Sequence, residues 1–219
     1  MIDSVLDFNM IGGFLGYGAV SAVLGAVFYA NIPTRYTIGD VVPTVAHLAK
    51  AKLIKLNSEK DALSGKPIQA QEIFDKGPTL VMAVRRPGCT FCRKEASELS
   101  AIKDKLDAAG VQLIGVVHEY QGADQFKPFL KGDVYFDTER TFYGPQERWL
   151  PMWMGFLRLR TYINGYNSRN VPGNLEGEGR LLGGVYLIDK NEMVFAHLEK
   201  DWGDAVNVQD VLDAIKKLH

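Results

Sequence analysis

The stretch VMAVRRPGCTFCRKEA, residues 81–96, joins an apolar run to the start of an amphipathic segment and contains both cysteines of the chain. Residues 79–84, TLVMAV, are typical of a strand that is buried on both faces of a sheet. The apolar spacing within residues 90–110 predicts a helix. Cys89 is therefore expected at or just before the first helical turn, with Cys92 one turn further along the same helix face.

The rest of the chain alternates between strand-like and helix-like segments. Strands are predicted at residues 111–118 and 133–137 and in a hairpin of residues 183–189 and 193–199, and helices at residues 123–130 and 207–219. Strands that alternate with helices, followed by a hairpin and a closing helix, predict an α/β fold in which a central mixed sheet is flanked by helices.

Three segments are predicted along the chain. A hydrophobic N-terminal helix occupies residues 1–35, and residues 10–30 are long enough to cross a hydrocarbon core of about 30 Å as a membrane anchor. The alternative is a Gly/Ala-rich helix that packs on the domain or on a partner. A linker helix over residues 43–56 and a polar loop make up residues 36–67, and the compact redox domain covers residues 68–219.

The composition excludes some classes of protein. Apolar residues make up 47% of the chain and its net charge is −1, as expected of a folded domain and not of a nucleic-acid-binding protein. Two cysteines cannot form the disulfide scaffold of a small secreted protein, and the chain has no Asn-x-Ser/Thr sequon. We therefore expect a cytoplasmic protein and disfavour secretion. Basic residues at and after Arg35 would leave a membrane-anchored domain facing the cytosol.

The setting of the two cysteines predicts redox chemistry. The backbone N–H groups and the dipole of a helix N-terminus favour an anion, and neighbouring cations add to that effect. Both lower the pKa of a thiol, and the thiolate is the nucleophile. The residues expected to support Cys89 and Cys92 are Arg86, Pro87, Gly88 and Arg93, together with Arg85 and Lys94. After attack on a peroxide or a disulfide, the second cysteine closes a Cys89–Cys92 disulfide, which an external dithiol must reduce.

Other interpretations of these residues remain open. A zinc site would need His118 and His197 as further ligands, and these lack ligand-type spacing. Two buried, inert thiols are also compatible with the pattern. Glu95 is a candidate general acid or base, although a charge on the helix surface is the favoured interpretation. Residues 147–170 are interpreted as an inserted helical segment that covers the sheet, with an apolar lid or a membrane-contacting patch as the alternative.

Four short motifs together resemble the peroxiredoxin-like 2 family of redox-regulatory proteins, within the thioredoxin-like superfamily. They are MAVRRPGCTFC, FYGPQ, GNLEGEG and LGGVY, at residues 82–92, 142–146, 173–179 and 182–186. The resemblance covers the hydrophobic N-terminus and residues 68–219. It implies a thioredoxin-like fold, antioxidant activity, a redox-active C-x-x-C pair and a link to restraint of inflammatory and osteoclast signalling. A sister branch is similar to prostaglandin F synthases that reduce an endoperoxide at such a pair.

The chain also departs from related patterns. Peroxiredoxins use P-x-x-x-T-x-x-C, in which the final cysteine attacks, and this places Cys92 in the attacking position and Cys89 in the Thr position. Thioredoxins use the first cysteine of the pair, which is Cys89, and the greater exposure expected of the first helical residue favours it. Gly183 and Gly184 stand where thioredoxins have a cis-proline, and Gly183 replaces a peroxiredoxin arginine, for which Arg86 or Arg93 would substitute.

These observations predict an antioxidant thiol–disulfide oxidoreductase. Its substrate would be a peroxide or a disulfide, its reducing power would come from a thioredoxin or glutathione system, and it would need no bound cofactor and no nucleic acid. The alternatives are a reductase for prostaglandin or prostamide endoperoxides and a non-catalytic, membrane-tethered signalling adaptor that senses redox state.

Overall fold

The structure is a computed structural model that describes residues 3–218, with side-chain surroundings from Gly16 onward. Met1, Ile2 and His219, at the ends of the first and last predicted segments, lie outside the described residues. The strands are β1 (Lys52–Lys55), β2 (Ile68–Gln69), β3 (Thr79–Val84), β4 (Gln112–Val117), β5 (Asp133–Asp137), β6 (Gly184–Asp189) and β7 (Glu192–Leu198).

Helices surround these strands. They are α1 (Asp3–Ala30), α2 (Thr34–Thr37), α3 (Val45–Leu48), α4 (Asp61–Ser64), α5 (Gln71–Phe74), α6 (Thr90–Ala101), α7 (Lys103–Ala108), α8 (Ala123–Phe126), α9 (Met152–Leu157), α10 (Leu159–Ser168) and α11 (Val208–Ile215). A 3-10 turn at Lys127–Phe129 follows α8, which agrees with a helix interrupted at Pro128.

Within residues 3–218 the strands form one seven-stranded mixed sheet in the order β2-β1-β5-β4-β3-β6-β7. The central strands β3, β4 and β5 are parallel, and β6, β7, β1 and β2 add antiparallel edges. The predicted mixed sheet is confirmed. Lys190 and Asn191 connect β6 to β7, and both have positive φ, as two-residue hairpin turns require.

The central strand β3 is buried on both faces, as its apolar run predicts. Because side chains alternate along a strand, Leu80, Met82 and Val84 pack in one core cluster with α6, α7 and α11. Val81 and Ala83 pack in a second cluster, on the face covered by α3 and α5. Helices thus flank both faces of the sheet. The carboxyl end of β3 leads directly into the loop that precedes the N-terminus of α6.

The linker helix predicted over residues 43–56 is wrong in its second half. The helix α3 covers only Val45–Leu48, and Lys52–Lys55 form β1, with Leu53 and Ile54 buried. This strand pairs with β5, so the sheet begins upstream of residue 68. The predicted helix at residues 90–110 is also divided, since Ile102 leaves helical geometry between α6 and α7. Gly110 follows with φ +69°, the left-handed conformation that ends helices.

The N-terminal helix α1 extends over Asp3–Ala30. Its last residue, Ala30, is buried in a cluster with Leu150, Met154 and Trp202, while residues 16–25 are exposed. Within the described part of the chain, no helix is both long and apolar enough to cross a membrane. The segment at residues 147–170 is helical, as expected, and forms α9 and α10.

Candidate active site

Cys89 lies at the junction of β3 and α6, where a buried strand ends and a helix begins. It is the N-cap of α6, with φ −76° and ψ 128°, and its carbonyl accepts the first helical hydrogen bond, from the backbone N–H of Arg93, at 3.0 Å. Cys89 therefore lies just before the first turn of α6, as the sequence predicts. Cys92 follows within the first turn, and both cysteines belong to the same buried core cluster.

Arg85 is the cation that contacts the sulfur of Cys89. Its Nη2 donates a hydrogen bond to Cys89 Sγ at 3.1 Å. The pKa of Cys89 is held well below its ordinary value, first by a hydrogen bond from the Cys92 thiol and then by the charges of Arg85 and Arg86 and the Cys92 backbone N–H. These effects outweigh burial, which acts in the opposite direction. The thiolate is therefore stabilised on Cys89.

The pKa values of the two thiols are shifted in opposite directions. The pKa of Cys92 is raised well above its ordinary value, because its proton is shared with Cys89 and because the side chain is buried. These directions favour the thiolate on Cys89 and the neutral thiol on Cys92. A nucleophile beside a protonated partner is the arrangement that attack by one cysteine and resolution by the other requires.

A buried ion pair fixes the position of Arg85. Its Nε lies 3.1 Å from Glu199 Oε1, just beyond the end of β7. Burial lowers the pKa of Arg85, but the charges of Cys89 and Glu199 more than reverse this and keep the guanidinium charged. The other oxygen of Glu199 accepts the backbone N–H of Gly183 at 3.0 Å. Sequence reasoning named Arg85 only as one of several cations and missed Glu199, which is 114 residues away.

Residues 172–179, here called the cap segment, lie against Gly88 and Thr90, on either side of Cys89 in the chain. Three arginines donate to its backbone carbonyls at 3.0 Å each: Arg85 to Gly179, Arg86 to Asn174 and Arg93 to Pro172. The sequence predicted that Arg86 and Arg93 act as electrostatic support, and the structure places both as clamps on this segment. Arg93 Nε also donates to the carbonyl of Pro87 at 3.1 Å.

Glycines allow the cap segment to approach the cysteine loop closely. The backbone N–H of Asn174 donates to the carbonyl of Gly88 at 2.8 Å, and a Cβ on Gly88 would collide with the Asn174 side chain. A Cβ on Gly173 would lie 2.7 Å from the backbone nitrogen of Thr90. Gly88, one of the predicted site residues, thus makes room for the cap segment.

Both thiols are covered in this arrangement. Cys89 is 3% exposed and Cys92 is 4% exposed. The expectation that Cys89 is the more exposed of the two is therefore wrong, because both side chains belong to the same buried core cluster. What distinguishes Cys89 is its hydrogen bond from Arg85 and its lowered pKa.

Glu95 is not the surface charge that the sequence favoured. It is half-buried, its Oε1 accepts the backbone N–H of Val206 at 2.8 Å, and burial raises the pKa of its carboxyl to about 8. The candidate zinc ligands have other contacts: His118 Nε2 lies 2.7 Å from the carbonyl of Arg85, and His197 Nε2 lies 3.0 Å from that of Asp204. Among the described residues, no group of three or more metal-ligating side chains comes together.

Backbone atoms of β3 and of the residue that follows it surround Gly183. A Cβ there would collide with the carbonyl oxygen of Ala83, and the carbonyl of Gly183 accepts a hydrogen bond from Arg148 Nη2 at 2.6 Å. Together with its N–H bond to Glu199, this makes Gly183 part of the support for the buried ion pair. No side chain larger than hydrogen fits without movement of β3.

Known proteins resemble the chain at two levels. Residues 98–201 match the family model of the AhpC/TSA antioxidant enzymes, which supports an antioxidant redox function. Two solved structures show the thioredoxin-like fold of this class. Peroxiredoxin Q of Xanthomonas campestris has TM-score 0.50 and 17% identity, and the match covers 80% of this chain and 96% of that one. A peroxiredoxin-like protein of Aquifex aeolicus has TM-score 0.51 and 15% identity, and the match covers 83% of this chain and 91% of that one.

Curated relatives cover nearly the whole length. Peroxiredoxin-like 2A of Mus musculus is 39% identical over 211 residues, which are 93% of each chain. Peroxiredoxin-like 2A of Homo sapiens is also 39% identical, over 93% of this chain and 89% of that one. Identity at this level over this length shows common descent and confirms the resemblance read from the four motifs. The chain belongs to the peroxiredoxin-like 2A family.

Proposed function

We propose that the chain is an antioxidant thiol–disulfide oxidoreductase that cycles Cys89 and Cys92 between dithiol and disulfide, with Cys89 as the attacking residue. The observation that carries this proposal is the hydrogen bond from Arg85 to Cys89 Sγ, together with the opposite directions in which the pKa values of the two thiols depart from the ordinary value. A buried, inert pair would not need an arginine aimed at one sulfur.

The proposed chemistry has three steps. The Cys89 thiolate attacks one oxygen of a peroxide, the O–O bond breaks, and the leaving alkoxide or hydroxide takes a proton, which gives an alcohol or water and a sulfenic acid on Cys89. The Cys92 thiol then attacks the sulfenic sulfur, which forms the Cys89–Cys92 disulfide and releases water. A dithiol of the thioredoxin type, or two glutathione molecules, reduces the disulfide and is itself oxidised.

Substrate access in this cycle requires the cap segment to move. Both sulfurs are almost completely covered, and three arginine-to-carbonyl hydrogen bonds hold the cap segment in place. Opening exchanges these bonds for bonds to water, so its cost is modest compared with unfolding of the domain. We therefore propose that the closed cap protects the thiolate and that an open form reacts.

The experiment is to measure peroxide consumption by the purified full-length chain with a thioredoxin system or with glutathione as reductant. We expect Cys89→Ser to abolish turnover. Cys92→Ser should allow one attack per chain and leave Cys89 as a sulfenic acid or a mixed disulfide in the mass spectrum. If the wild-type chain forms no Cys89–Cys92 disulfide with any peroxide, the proposal fails.

Two further arms separate the alternatives. Turnover of a prostaglandin endoperoxide without turnover of simple peroxides would favour an endoperoxide reductase. Full cellular activity of the Cys89→Ser/Cys92→Ser double variant in a signalling assay would favour a non-catalytic adaptor. The cytoplasmic location that the proposal assumes is tested by fractionation of cells that express the full chain.

A further inference from the structure

Helix α10 presents its apolar side to solvent. Leu159, Tyr162, Ile163 and Tyr166 are spaced i, i+3, i+4 and i+7, so they form one stripe along the helix, and each is at least 60% exposed. In a surface helix of a globular domain this spacing ordinarily marks the face that packs on the core. Here the stripe is turned outward.

Polar groups attach α10 to the domain instead. Arg158, the N-cap of α10, is buried and pairs with Asp201 at 2.6 Å. Asn164 Nδ2 donates to the carbonyl of Trp202 at 2.9 Å. Because these directed contacts hold the helix, the outward orientation of its apolar stripe is fixed and does not result from poor packing.

Further exposed apolar residues lie on α9, where the carbonyl of Phe156 accepts a hydrogen bond from Tyr162 of α10, and on α1. Tyr29 of α1 stacks on Trp153 of α9, with ring centroids 6.2 Å apart. The exposed apolar residues on these two helices are Tyr17, Val20, Val23, Leu24, Phe28, Tyr29, Met152, Trp153 and Phe156. Together with the stripe on α10 they are called the apolar face below. This grouping of exposed aromatic and aliphatic side chains differs from the single, scattered exposures that are normal for a monomer.

The two segments that carry most of the apolar face, residues 16–38 and 151–170, have charges of one sign. Residues 16–38 and 151–170 contain no Asp or Glu, although the whole chain has 26 acidic against 25 basic residues. The exposed charges in these segments are Arg35, Arg160 and Arg169, and two of them lie over exposed rings: Arg35 over Tyr36 and Arg169 over Tyr166. A face with this composition is complementary to an apolar surface that carries negative charge.

A cationic cavity lies at the edge of the apolar face, where α1 ends and α10 begins. It has a volume of about 560 Å³. Its charged lining consists of Arg35, Arg148, Arg158, Arg160 and Lys200, against Asp40 and Asp201. Five cations against two carboxylates favour an anionic group, so the cavity extends the same charge pattern inward.

We propose that the apolar face docks this protein onto the surface of an anionic lipid bilayer, with α9 and α10 lying in the interfacial plane. Tryptophan, tyrosine and arginine are the residues that the headgroup region accommodates. A second copy of the chain fits less well, because a two-fold interface across this face would bring its like-charged arginine borders together. Docking in this way does not require α1 to cross the bilayer.

The test is co-sedimentation of the full chain with vesicles of phosphatidylcholine containing phosphatidylserine, compared with vesicles of phosphatidylcholine alone. We expect binding to the anionic vesicles and much weaker binding to the neutral ones. Leu159→Asp/Ile163→Asp should lower the ratio of bound to free protein at least about tenfold, since two apolar side chains are lost from the lipid contact. Leu63→Asp is the matched control, because Leu63 is equally apolar, 79% exposed and outside the face.

Charge and self-association are tested separately. Arg160→Glu/Arg169→Glu should remove the preference for phosphatidylserine, with an unchanged circular dichroism spectrum. The proposal is overturned if the wild-type chain does not sediment with anionic vesicles, or if Leu159→Asp/Ile163→Asp binds them as well as the Leu63→Asp control does. It is also overturned if light scattering shows a wild-type dimer that the double variant dissociates while vesicle binding is unaffected.

Discussion

Replacing Arg85 by methionine tests the proposed origin of Cys89 reactivity. Methionine keeps much of the side-chain length but removes both the charge and the hydrogen bond to Cys89 Sγ, which is 3.1 Å long. A hydrogen bond to a charged group contributes about 1.5–3 kcal/mol. Because 1.36 kcal/mol corresponds to a factor of ten, we expect the ionisation constant of the Cys89 thiol to fall about ten- to a hundredfold.

The same substitution leaves Glu199 without its buried partner. Breaking a buried ion pair from one side costs about 3–5 kcal/mol of stability, so the single variant risks partial unfolding. Arg85→Met/Glu199→Gln removes both charges, and glutamine retains an oxygen for the backbone N–H of Gly183. The double variant is therefore the informative one, and thermal unfolding should show it to be more stable than Arg85→Met alone.

The assay is the rate of alkylation of Cys89 by iodoacetamide as a function of pH, with the modified residue located by mass spectrometry. Arg93→Met serves as the control, because the Arg93 guanidinium clamps the cap segment at Pro172 and its hydrogen bonds go to Pro87, Pro172 and Gln125, not to a cysteine sulfur. Arg93→Met should raise the plateau rate and leave the midpoint unchanged. Arg85→Met/Glu199→Gln should move the midpoint to higher pH. An unchanged midpoint in that variant would refute the role assigned to Arg85.

Three further predictions concern the cap segment, Glu95 and Cys92. Gly173→Ala should speed alkylation of Cys89 several-fold, because the added Cβ lies 2.7 Å from the backbone nitrogen of Thr90 and displaces the cap segment, whereas Gly165→Ala, which meets nothing within 4 Å, should not; equal rates would contradict a closed cap. The pKa of Glu95 is raised from 4.5 to about 8, so the folded state keeps a proton that the unfolded state loses, and stability falls as pH rises through this window. In urea unfolding, the free energy of unfolding of Glu95→Gln relative to wild type should therefore rise by about 1–2 kcal/mol from pH 5 to pH 8. An equal difference from wild type at both pH values would rule the effect out. Cys92→Ser keeps a hydroxyl that can donate to Cys89, so first attack should still occur, but Cys89 should become prone to irreversible overoxidation under excess peroxide, measured as sulfinic acid by mass spectrometry; only unmodified Cys89 would argue against it.

Local patterns in the sequence determine most of the sheet. The run at residues 79–84 coincides with β3, and the predicted strand at residues 133–137 coincides with β5, because short runs rich in β-branched and aromatic residues that are bounded by turn residues favour strands. The helix predicted at residues 52–55 is wrong because a distant strand, and not the local sequence, determines the conformation there. The strand KLIK takes its conformation from pairing with β5, and tertiary pairing overrides the weak local helical spacing.

The candidate site likewise combines features that the local sequence predicts with features that depend on distant residues. The position of Cys89 at the N-cap of α6 follows from a local sequence signal, the proline and glycine after an apolar run. The partner of Arg85 could not be predicted, because Glu199 is 114 residues away and reaches the site only through the antiparallel pairing of β6 with β7 and of β6 with β3. The packing of residues 172–179 against Gly88 and Thr90 could not be predicted either, since a glycine-rich loop sequence does not indicate where the loop packs.

The clamp on the cap segment has a consequence for how this family can diversify. The three arginines bind main-chain oxygens, so the closed state does not depend on which side chains the segment carries, apart from the glycines that need space. Leu175, whose side chain points almost entirely into water, can be exchanged without loosening the closure. New outer surfaces, and with them new selectivity for incoming molecules, can therefore evolve over an unaltered reaction centre.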